Sequence, residues 1–470
     1  MTMSAGDSGR IASIGGLADG AAATAEAQTG LGVGRKLGSG AAWTLGGYGV
    51  AQVIRFATSM VVTRLLVPEL FAIMLIVNTV RTGTELLSDI GIGQSVIRSP
   101  RGEEPAFYNT AWTLQVWRGL ALFLLCAGLA MPISAIYDIP ELRYVLPVAG
   151  STLFLTGFTS MALPLLRRRM SFPRLAGFEV ICAVLTSTFQ IALAFVYPTV
   201  WALVIGLIFG TVVMVAGSFR LKELRHKFEI DRNCASEIMS FGKWITASSA
   251  VFFVSMNLDR IYFPAVISLN MLGIFAIART ITDVVNAIFI RLNNSILFPH
   301  IASEAARPRH ELRKDIGKIR KRFLAVSALA MGSLTASADL LVAILFDHRY
   351  HAAGWMASVL TVGIWFAILA SSAESSLLGL GRPQAATVSN SAKLIWLIAA
   401  LPFSVSAYGM IAGVAAISAG DLVRYLATVP HQRRASFSFL LQDAGATSAM
   451  VTVIGVLALV RHALGLPFMI

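Results

Sequence analysis

Charged residues are scarce in this sequence. They make up 13% of the 470 residues, whereas 56% of the residues are hydrophobic. A soluble globular domain averages about 25% charged residues. A chain of this length with so few charges cannot cover a water-exposed surface with polar groups. The composition therefore excludes a soluble multidomain enzyme and a disordered chain, and it predicts a polytopic membrane protein.

Cysteine is also scarce, since the chain has three and they form no CxxC motif. This excludes a disulfide framework and gives no support for a metal site. The sequence has no P-loop and no GxSxG, HExxH or kinase signature, so it predicts neither an enzyme nor a cofactor. The net charge is +13, but the basic residues punctuate apolar segments. That pattern is typical of cytoplasmic loops and does not indicate a nucleic-acid partner.

Apolar segments follow one another along the chain, each long enough to cross about 30 Å of hydrocarbon as a helix. They lie near 40–62, 70–97, 108–135, 143–166, 175–197, 199–218, 240–266, 270–300, 323–346, 355–380, 385–407, 409–429 and 444–462. We predict an all-α polytopic membrane protein of two six-helix bundles and about one extra C-terminal helix. The predicted divisions are a disordered cytoplasmic leader at 1–38, bundles at 39–219 and 238–430, a cytoplasmic linker at 220–237, and a basic loop with an additional helix at 431–470.

Basic residues are concentrated on one side of these spans. Most of the 38 Lys and Arg residues, including Arg424 and a run expected as a loop at 307–322, fall on the side of the N-terminus. The other side receives Arg64, Arg143, Arg349 and Arg461. By the positive-inside rule, this asymmetry predicts a cytoplasmic N-terminus and a multi-pass protein of the bacterial inner membrane.

The two predicted bundles match each other weakly at an offset of 201 residues. Under this offset Trp43 aligns with Trp244, Ile73 with Ile274 and Thr79 with Thr280. Both bundles would then have the same orientation. This predicts a pseudo-two-fold axis along the membrane normal, as in transporters built from parallel repeats.

Several charged residues fall inside the predicted spans, where each costs about 2.5–3.5 kcal/mol near a helix centre. The basic ones considered as cavity-lining, substrate-binding residues are Arg55, Arg81, Arg118, Arg260, Arg279 and Lys393. The acidic ones considered for ion coupling or charge pairing are Glu85, Asp89, Glu179, Asp283 and Glu374. Spacings of four residues favour internal ion pairs. Two interpretations stay open: a hydrated cationic cavity for a large polar anion, or structural pairs between helices.

Short motifs along most of the chain resemble bacterial polysaccharide flippases of the Wzx type, within the multidrug/oligosaccharidyl-lipid/polysaccharide exporter superfamily. They are Thr63–Phe71 (TRLLVPELF), Leu87–Ile97 (LSDIGIGQSVI), Asn109–Trp112 (NTAW), Arg168–Phe172 (RRMSF), Leu258–Arg260 (LDR), Leu272–Phe275 (LGIF) and Leu297–Pro299 (LFP). Each motif alone is moderately specific for this family, and the order and spacing of the motifs together are more specific.

The resemblance implies translocation of undecaprenyl-pyrophosphate-linked oligosaccharide repeat units across the inner membrane, for exopolysaccharide, O-antigen or capsule synthesis. Alternating access through a cationic cavity fits this, because arginine binds phosphate well. Candidate partners are a polysaccharide polymerase, a chain-length regulator and a coupling proton or sodium ion. A lipid II flippase and a multidrug antiporter are the alternatives within transport. A membrane glycan polymerase is disfavoured because none of the seven histidines lies in mid-span.

Overall fold

The computed structural model of the chain describes residues 46–88, 90–169, 171–221, 224, 226–303, 308–380, 382 and 384–466. The predicted leader at 1–38 and Asp89 lie outside the described residues. The helices are α1 (46–65), α2 (Pro68–Leu87), α3 (Ile92–Arg98), α4 (Pro105–Tyr137), α5 (Leu142–Gly157), α6 (Ala162–Arg168), α7 (Phe172–Val196), α8 (Val200–Ser218), α9 (Arg232–Tyr262), α10 (Leu269–Ser303), α11 (Arg309–Leu345), α12 (Ala353–Gly379), α13 (Gln384–Arg434) and α14 (Leu440–Ala463).

The predicted fold class, an all-α polytopic membrane protein, is confirmed. Nine helices of the described residues are long and apolar enough to cross a membrane, or ten when the bent pair α5 and α6 counts as one span. That set does not include α1 and α9, the helices found at the first and seventh predicted spans. We call the end of the bundle with the basic loops the basic end, and the end with the turns at 66–67, 138–141 and 346–352 the opposite end.

Two of the predicted spans are broken, so the single helices predicted there were too long. The segment at 70–97 divides into α2 and α3, and the chain turns at Gly91, which has a left-handed φ of 61°. Glycine adopts this conformation without the steric penalty of a Cβ atom. The segment at 143–166 divides into α5 and α6, which meet at a bend of 57°. A hydropathy window averages over such breaks because it measures composition and not backbone geometry.

The segment predicted as a basic loop at 307–322 is helical from Arg309 onward, so that prediction was wrong. The 37 residues of α11 have a length of about 55 Å as an α-helix. This exceeds the thickness of the hydrocarbon, and the basic first turns therefore project beyond it. The segment continues the helix because Arg, Lys, Leu and Glu are good helix formers.

The long helix α13 is a hairpin of two helices that meet at Gly409. Gly409 has φ 73° and ψ −162°, a conformation outside the helical region. Trp396 donates its indole N–H to the carbonyl oxygen of Ala416 at 3.0 Å, which requires the chain to reverse direction between them. We name the two parts α13a (384–408) and α13b (410–434), and they correspond to two of the predicted spans.

The two halves of the molecule meet along α2, which packs against α9 and α10. A Cβ atom on Gly273 of α10 would lie 1.9 Å from the carbonyl oxygen of Pro68, so the two backbones touch at the opposite end. Glu69, the residue after Pro68, accepts a hydrogen bond from the side-chain amide of Asn270 at 2.8 Å. Glu69 and Asn270 are 201 residues apart, which is the offset of the sequence repeat. Equivalent helices that meet at equivalent residues are expected next to a two-fold axis.

The linker between the halves is attached to the basic end of α4 by the Asn109–Trp112 motif. The backbone N–H of Lys227 donates to Asn109 at 3.2 Å, and that of Asp231 donates to Thr110 at 3.0 Å. The Trp112 ring packs on His226, whose Nε2 accepts the backbone N–H of Met161 at 3.2 Å. Burial lowers the pKa of His226 below its ordinary value. The motif therefore holds the linker in place.

The C-terminal helix α14 is fixed to α11 by buried ion pairs near both of its ends. Arg320 contacts Asp443 close to the basic end. Arg461 contacts Asp339 at 2.7 Å, with both side chains buried. Arg461 was expected in an external loop, but it lies in the last turn of α14 because a buried carboxylate on the neighbouring helix neutralises it.

The contact at Gly273 predicts the effect of a single methyl group. Gly273→Ala should separate α2 from α10 at the opposite end and cost about 1–3 kcal/mol, because the Pro68 backbone cannot move aside as a side chain does. Disulfide formation between cysteines introduced by Glu69→Cys and Asn270→Cys reports the separation of the two helices. Its yield should be several-fold lower with Gly273→Ala than without it. Gly128→Ala is the control, since its Cβ would meet nothing within 4 Å. Equal cross-linking in both variants would contradict the prediction.

Candidate functional site

Two arginines of the C-terminal half, one on α9 and one on α10, contact Asp283. Arg260 donates a hydrogen bond to Asp283. Arg279, one turn before Asp283, lies 3.6 Å from it and 3.4 Å from Asp259 on the other side. The i,i+4 pair expected of Arg279 and Asp283 is thus present. Both predicted arginines have a carboxylate partner in this part of the site.

A second group of paired charges lies between α12 and the two parts of α13. Lys393 contacts Asp421 at 2.6 Å. Arg424 holds Glu374 in a bidentate pair, with Nε–Oε1 at 3.0 Å and Nη2–Oε2 at 2.7 Å. Ser389 donates a further hydrogen bond to the same carboxylate at 2.5 Å. Planar, bidentate pairs of this kind are the strong form of the interaction.

These pairs form one connected set, because Asp421 lies within electrostatic range of both Arg279 and Arg424. We name it the C-terminal charge cluster, and its members are Asp259, Arg260, Arg279, Asp283, Glu374, Lys393, Asp421 and Arg424. The four basic and four acidic members balance, so the cluster has no net formal charge. The side chain of Asp283 is 41% exposed, more than any other member. Asp283 is therefore the most accessible carboxylate of the cluster.

Asp259 was noted only within the LDR motif, and sequence reasoning missed two further members of this cluster. Arg424 was expected in a cytoplasmic loop, yet it is buried in α13b, where Glu374 neutralises it. Asp421 was not assigned at all, although its position three residues before Arg424 in an apolar segment is the signal that would have found it. Because of these two residues, the C-terminal half presents paired charges where a cationic lining was expected.

Arg81 of α2 has a different environment from the basic residues of the C-terminal half. Its Nη1 donates to the hydroxyl of Thr152 on α5 at 3.3 Å. Its Nε is buried without a hydrogen-bond partner. The ion pair predicted between Arg81 and Glu85 is not formed in the described part of the chain, where Glu85 is exposed. A buried guanidinium with one neutral acceptor retains donors that an anion can use.

Arg118 of α4 donates hydrogen bonds to backbone carbonyl groups at the C-terminal end of α2. Its Nε donates to the carbonyl oxygen of Ser88 at 2.9 Å, and its Nη2 donates to that of Glu85 at 2.6 Å. The last carbonyl groups of a helix lack partners within the helix and attract positive charge. Arg118 therefore caps α2, and it does not contact the C-terminal charge cluster.

Arg55 and Glu179 lie on α1 and α7, away from the other predicted site residues. Arg55 is exposed, and Glu179 is half-buried. Both lie within electrostatic range of Cys182. The described residues show no hydrogen bond or ion pair between them. The structure thus groups Arg260, Arg279, Lys393, Asp283 and Glu374 but leaves Arg55, Arg81, Arg118, Glu85 and Glu179 separate.

A cavity of about 220 Å³ lies between the two halves. It is lined by α2 and α4 on one side and by α9 on the other, including Gly83, Tyr137 and Phe253. Arg260 is the one charged residue among those that line it. Ligand pockets for drug-sized molecules usually have about 300–1,000 Å³. A ligand of drug size or larger therefore needs the halves to move apart. In the described residues, no group of three or more His, Cys, Asp or Glu side chains is placed to hold a metal ion.

The overall structure is similar to those of solved membrane transporters. The lipid II flippase MurJ in an inward closed conformation matches with a TM-score of 0.68 and 13% identity, over 87% of this chain and 90% of that one. An inward-facing multidrug resistance MATE family transporter of the MOP superfamily matches with a TM-score of 0.60 and 12% identity, over 86% and 96%. The fold is therefore the two-lobed helical fold that these transporters share.

The particular family follows from the sequence comparisons. A family model described as "Polysaccharide biosynthesis protein" matches residues 61–354, so the chain belongs to that family. The succinoglycan biosynthesis transport protein ExoT of Rhizobium meliloti is 22% identical over 52% of this chain and 50% of its own length. The lipopolysaccharide biosynthesis protein WzxC of Escherichia coli is 19% identical over 61% and 56%. The match thus spans about half the length of these curated relatives.

The buried pair of Arg424 and Glu374 predicts a difference between single and double variants. Arg424→Gln leaves a buried carboxylate without its partner, which costs about 3–5 kcal/mol. Glu374→Gln/Arg424→Gln removes both charges and should recover most of the loss in thermal unfolding of the purified protein. Arg169→Gln breaks an exposed pair with Glu103 and should change the melting temperature little. A double variant as unstable as the single one would show that the pair itself, and not the orphaned charge, carries the stability.

Proposed function

We propose that this protein translocates undecaprenyl-pyrophosphate-linked oligosaccharide repeat units from the cytoplasmic to the periplasmic leaflet of the bacterial inner membrane. The observation that carries the proposal is the family match over residues 61–354, together with two relatives named for polysaccharide export and lipopolysaccharide synthesis. The product would serve exopolysaccharide, O-antigen or capsule synthesis. In this assignment the basic end faces the cytoplasm, in agreement with the positive-inside rule.

Alternating access between the two halves is the mechanism we propose. The halves touch at the opposite end, where α2 meets α10, and enclose a small cavity between α2, α4 and α9. Rocking about these contacts would open the space to one leaflet at a time, as in other transporters built from repeats. The polar head group would pass through this space while the lipid tail stays in the bilayer.

Arg81 is the residue we propose for binding the pyrophosphate. Arg81 differs from the basic members of the C-terminal charge cluster because it forms no ion pair with a described carboxylate. Its Nη1 donates to a hydroxyl, and its buried Nε, like the Nε atoms of Arg260 and Arg279, has no hydrogen-bond partner. A pyrophosphate supplies oxygens that accept hydrogen bonds from the unpartnered N–H groups of a guanidinium. A site of low polarity strengthens this interaction. Arg55, exposed on α1, is a further basic candidate in the N-terminal half.

Asp283 is the carboxylate we propose for ion coupling. It is the most exposed member of the C-terminal charge cluster and is shared between Arg260 and Arg279. Protonation or sodium binding at Asp283 would weaken its hold on both arginines, so a change at one carboxylate alters one contact between α9 and α10 and one contact within α10. Glu374 is less suited because Arg424 and Ser389 already occupy its oxygens.

A lipid II flippase is the second candidate, favoured by the TM-score of 0.68 with MurJ. Its substrate carries the same pyrophosphate, so the charges alone do not separate the two. The lipid-linked intermediate that accumulates on the inner leaflet of a deletion strain does separate them. Leaflet-sidedness labelling should detect repeat units of the host polysaccharide there. Accumulated lipid II in place of repeat units would favour the second candidate.

Arg81→Ala should lower polymer export by about tenfold to a hundredfold, because it removes one charged hydrogen-bonding group from the substrate site. The measurement is complementation of the deletion strain, with membrane levels of each variant quantified alongside. Arg81→Lys keeps the charge but not the planar donors and should restore part of the export. Arg143→Ala, at an exposed arginine of the opposite end, is the control. Full export by Arg81→Ala at normal membrane levels would remove Arg81 from the site and leave the flippase assignment intact.

A further inference from the structure

A basic groove of about 590 Å³ lies between the first turns of α11 and the start of α14, remote from the cavity between the halves. We name it the basic groove, and its lining residues are His310, Arg313, Lys314, Gly317, Lys318, Lys321, Ser438, Phe439, Leu440, Leu441 and Gln442. This lining includes four Lys and Arg residues and no Asp or Glu. The groove belongs to the helical extension of α11 that projects beyond the membrane.

The floor of the groove is fixed by buried polar contacts. Gln442 donates its side-chain N–H to the carbonyl oxygen of Gly317 at 2.7 Å and accepts a hydrogen bond from Arg320 at 3.2 Å. Arg320 also pairs with Asp443, which in turn accepts the hydroxyl of Tyr425 at 2.8 Å. The charges below the groove therefore neutralise one another, and the helices that form it are held at a fixed separation.

The rim of the groove keeps its positive charge available. Arg313, Lys314, Lys318 and Lys321 are all exposed. Lys318 lies 3.7 Å from Asp315, a distance typical of a weak surface pair. On the other side, α14 begins at Leu440 without a side-chain cap, so its first backbone N–H groups also face an anion favourably.

An apolar strip, formed by Phe439, Leu440 and Leu441, adjoins this basic rim. Leu441, in the first turn of a helix apolar enough to cross the membrane, is 91% exposed. A leucine at this position lies where the head groups meet the hydrocarbon. The combination of basic side chains and an exposed leucine at the membrane boundary fits a ligand that is both anionic and apolar.

We propose that the basic groove binds the phosphodiester head group of an anionic membrane phospholipid, with an acyl chain against Leu441. The basic rim supplies charge and hydrogen bonds to the phosphate, and the apolar strip selects a lipid over a soluble phosphate. Because α14 is attached to α11 below the groove, a bound lipid would hold this pair of helices at the membrane surface. The proposal is independent of the substrate that the protein transports.

The test is lipid binding to the purified full chain, measured by native mass spectrometry after reconstitution with phosphatidylglycerol or with phosphatidylcholine. The chain should retain phosphatidylglycerol preferentially, and Lys314→Gln/Lys321→Gln should weaken the retention about tenfold. The matched control is Lys227→Gln/Arg232→Gln, which removes two exposed basic residues at the same end of the molecule, in the linker and at the start of α9. Equal retention of the two lipids, or an equal loss in the control, would overturn the proposal.

A soluble competitor distinguishes a site for a lipid head group from a site for a free phosphate compound. Glycerol 3-phosphate should displace phosphatidylglycerol poorly, and Leu441→Ser should weaken lipid retention without changing the response to the soluble anion. Binding of glycerol 3-phosphate as tight as that of the lipid would show a site for free phosphate and contradict the lipid assignment. If Lys314→Gln/Lys321→Gln does not fold, Arg313→Gln/Lys318→Gln tests the same rim with two other exposed residues.

Discussion

Neutralisation of ionised side chains within the spans is the constraint on which the rest of this structure depends. Charges are expensive away from water unless a partner compensates them. In the C-terminal half, the eight members of the charge cluster compensate one another across α9, α10, α12 and both parts of α13. Arg461 and Asp339 do the same between α14 and α11. These pairs determine which faces of the helices meet, because a rotation of one helix would leave charges alone.

The N-terminal half meets the same constraint differently. Arg118 is satisfied by backbone carbonyl groups at the end of α2, and Arg81 keeps a buried donor without an acceptor. The C-terminal half thus balances its own charges in pairs, whereas Arg81 forms no ion pair with a described carboxylate.

The sequence predicted the fold well and the site only in part. The positions of the helices follow from apolar runs of sufficient length. The breaks at Gly91 and between α5 and α6 do not, because they depend on backbone geometry. The charged residues within the spans were identifiable because they are costly there, but their partners were not. The partner of Arg424 is Glu374, 50 residues away on another helix, and this distance in sequence carries no signal of contact.

The motifs that resemble the polysaccharide flippases lie mainly at structural contacts. Pro68 and Gly273, from two motifs, touch where the halves meet, and Asn109 and Thr110 hold the linker. Arg168 donates to the backbone carbonyl of Ser99 between the short helices. Arg81, Lys393 and Arg424 lie outside every motif. Most of these motifs therefore supply contacts that hold the halves and the linker together. The LDR motif differs, because its Asp259 and Arg260 belong to the C-terminal charge cluster.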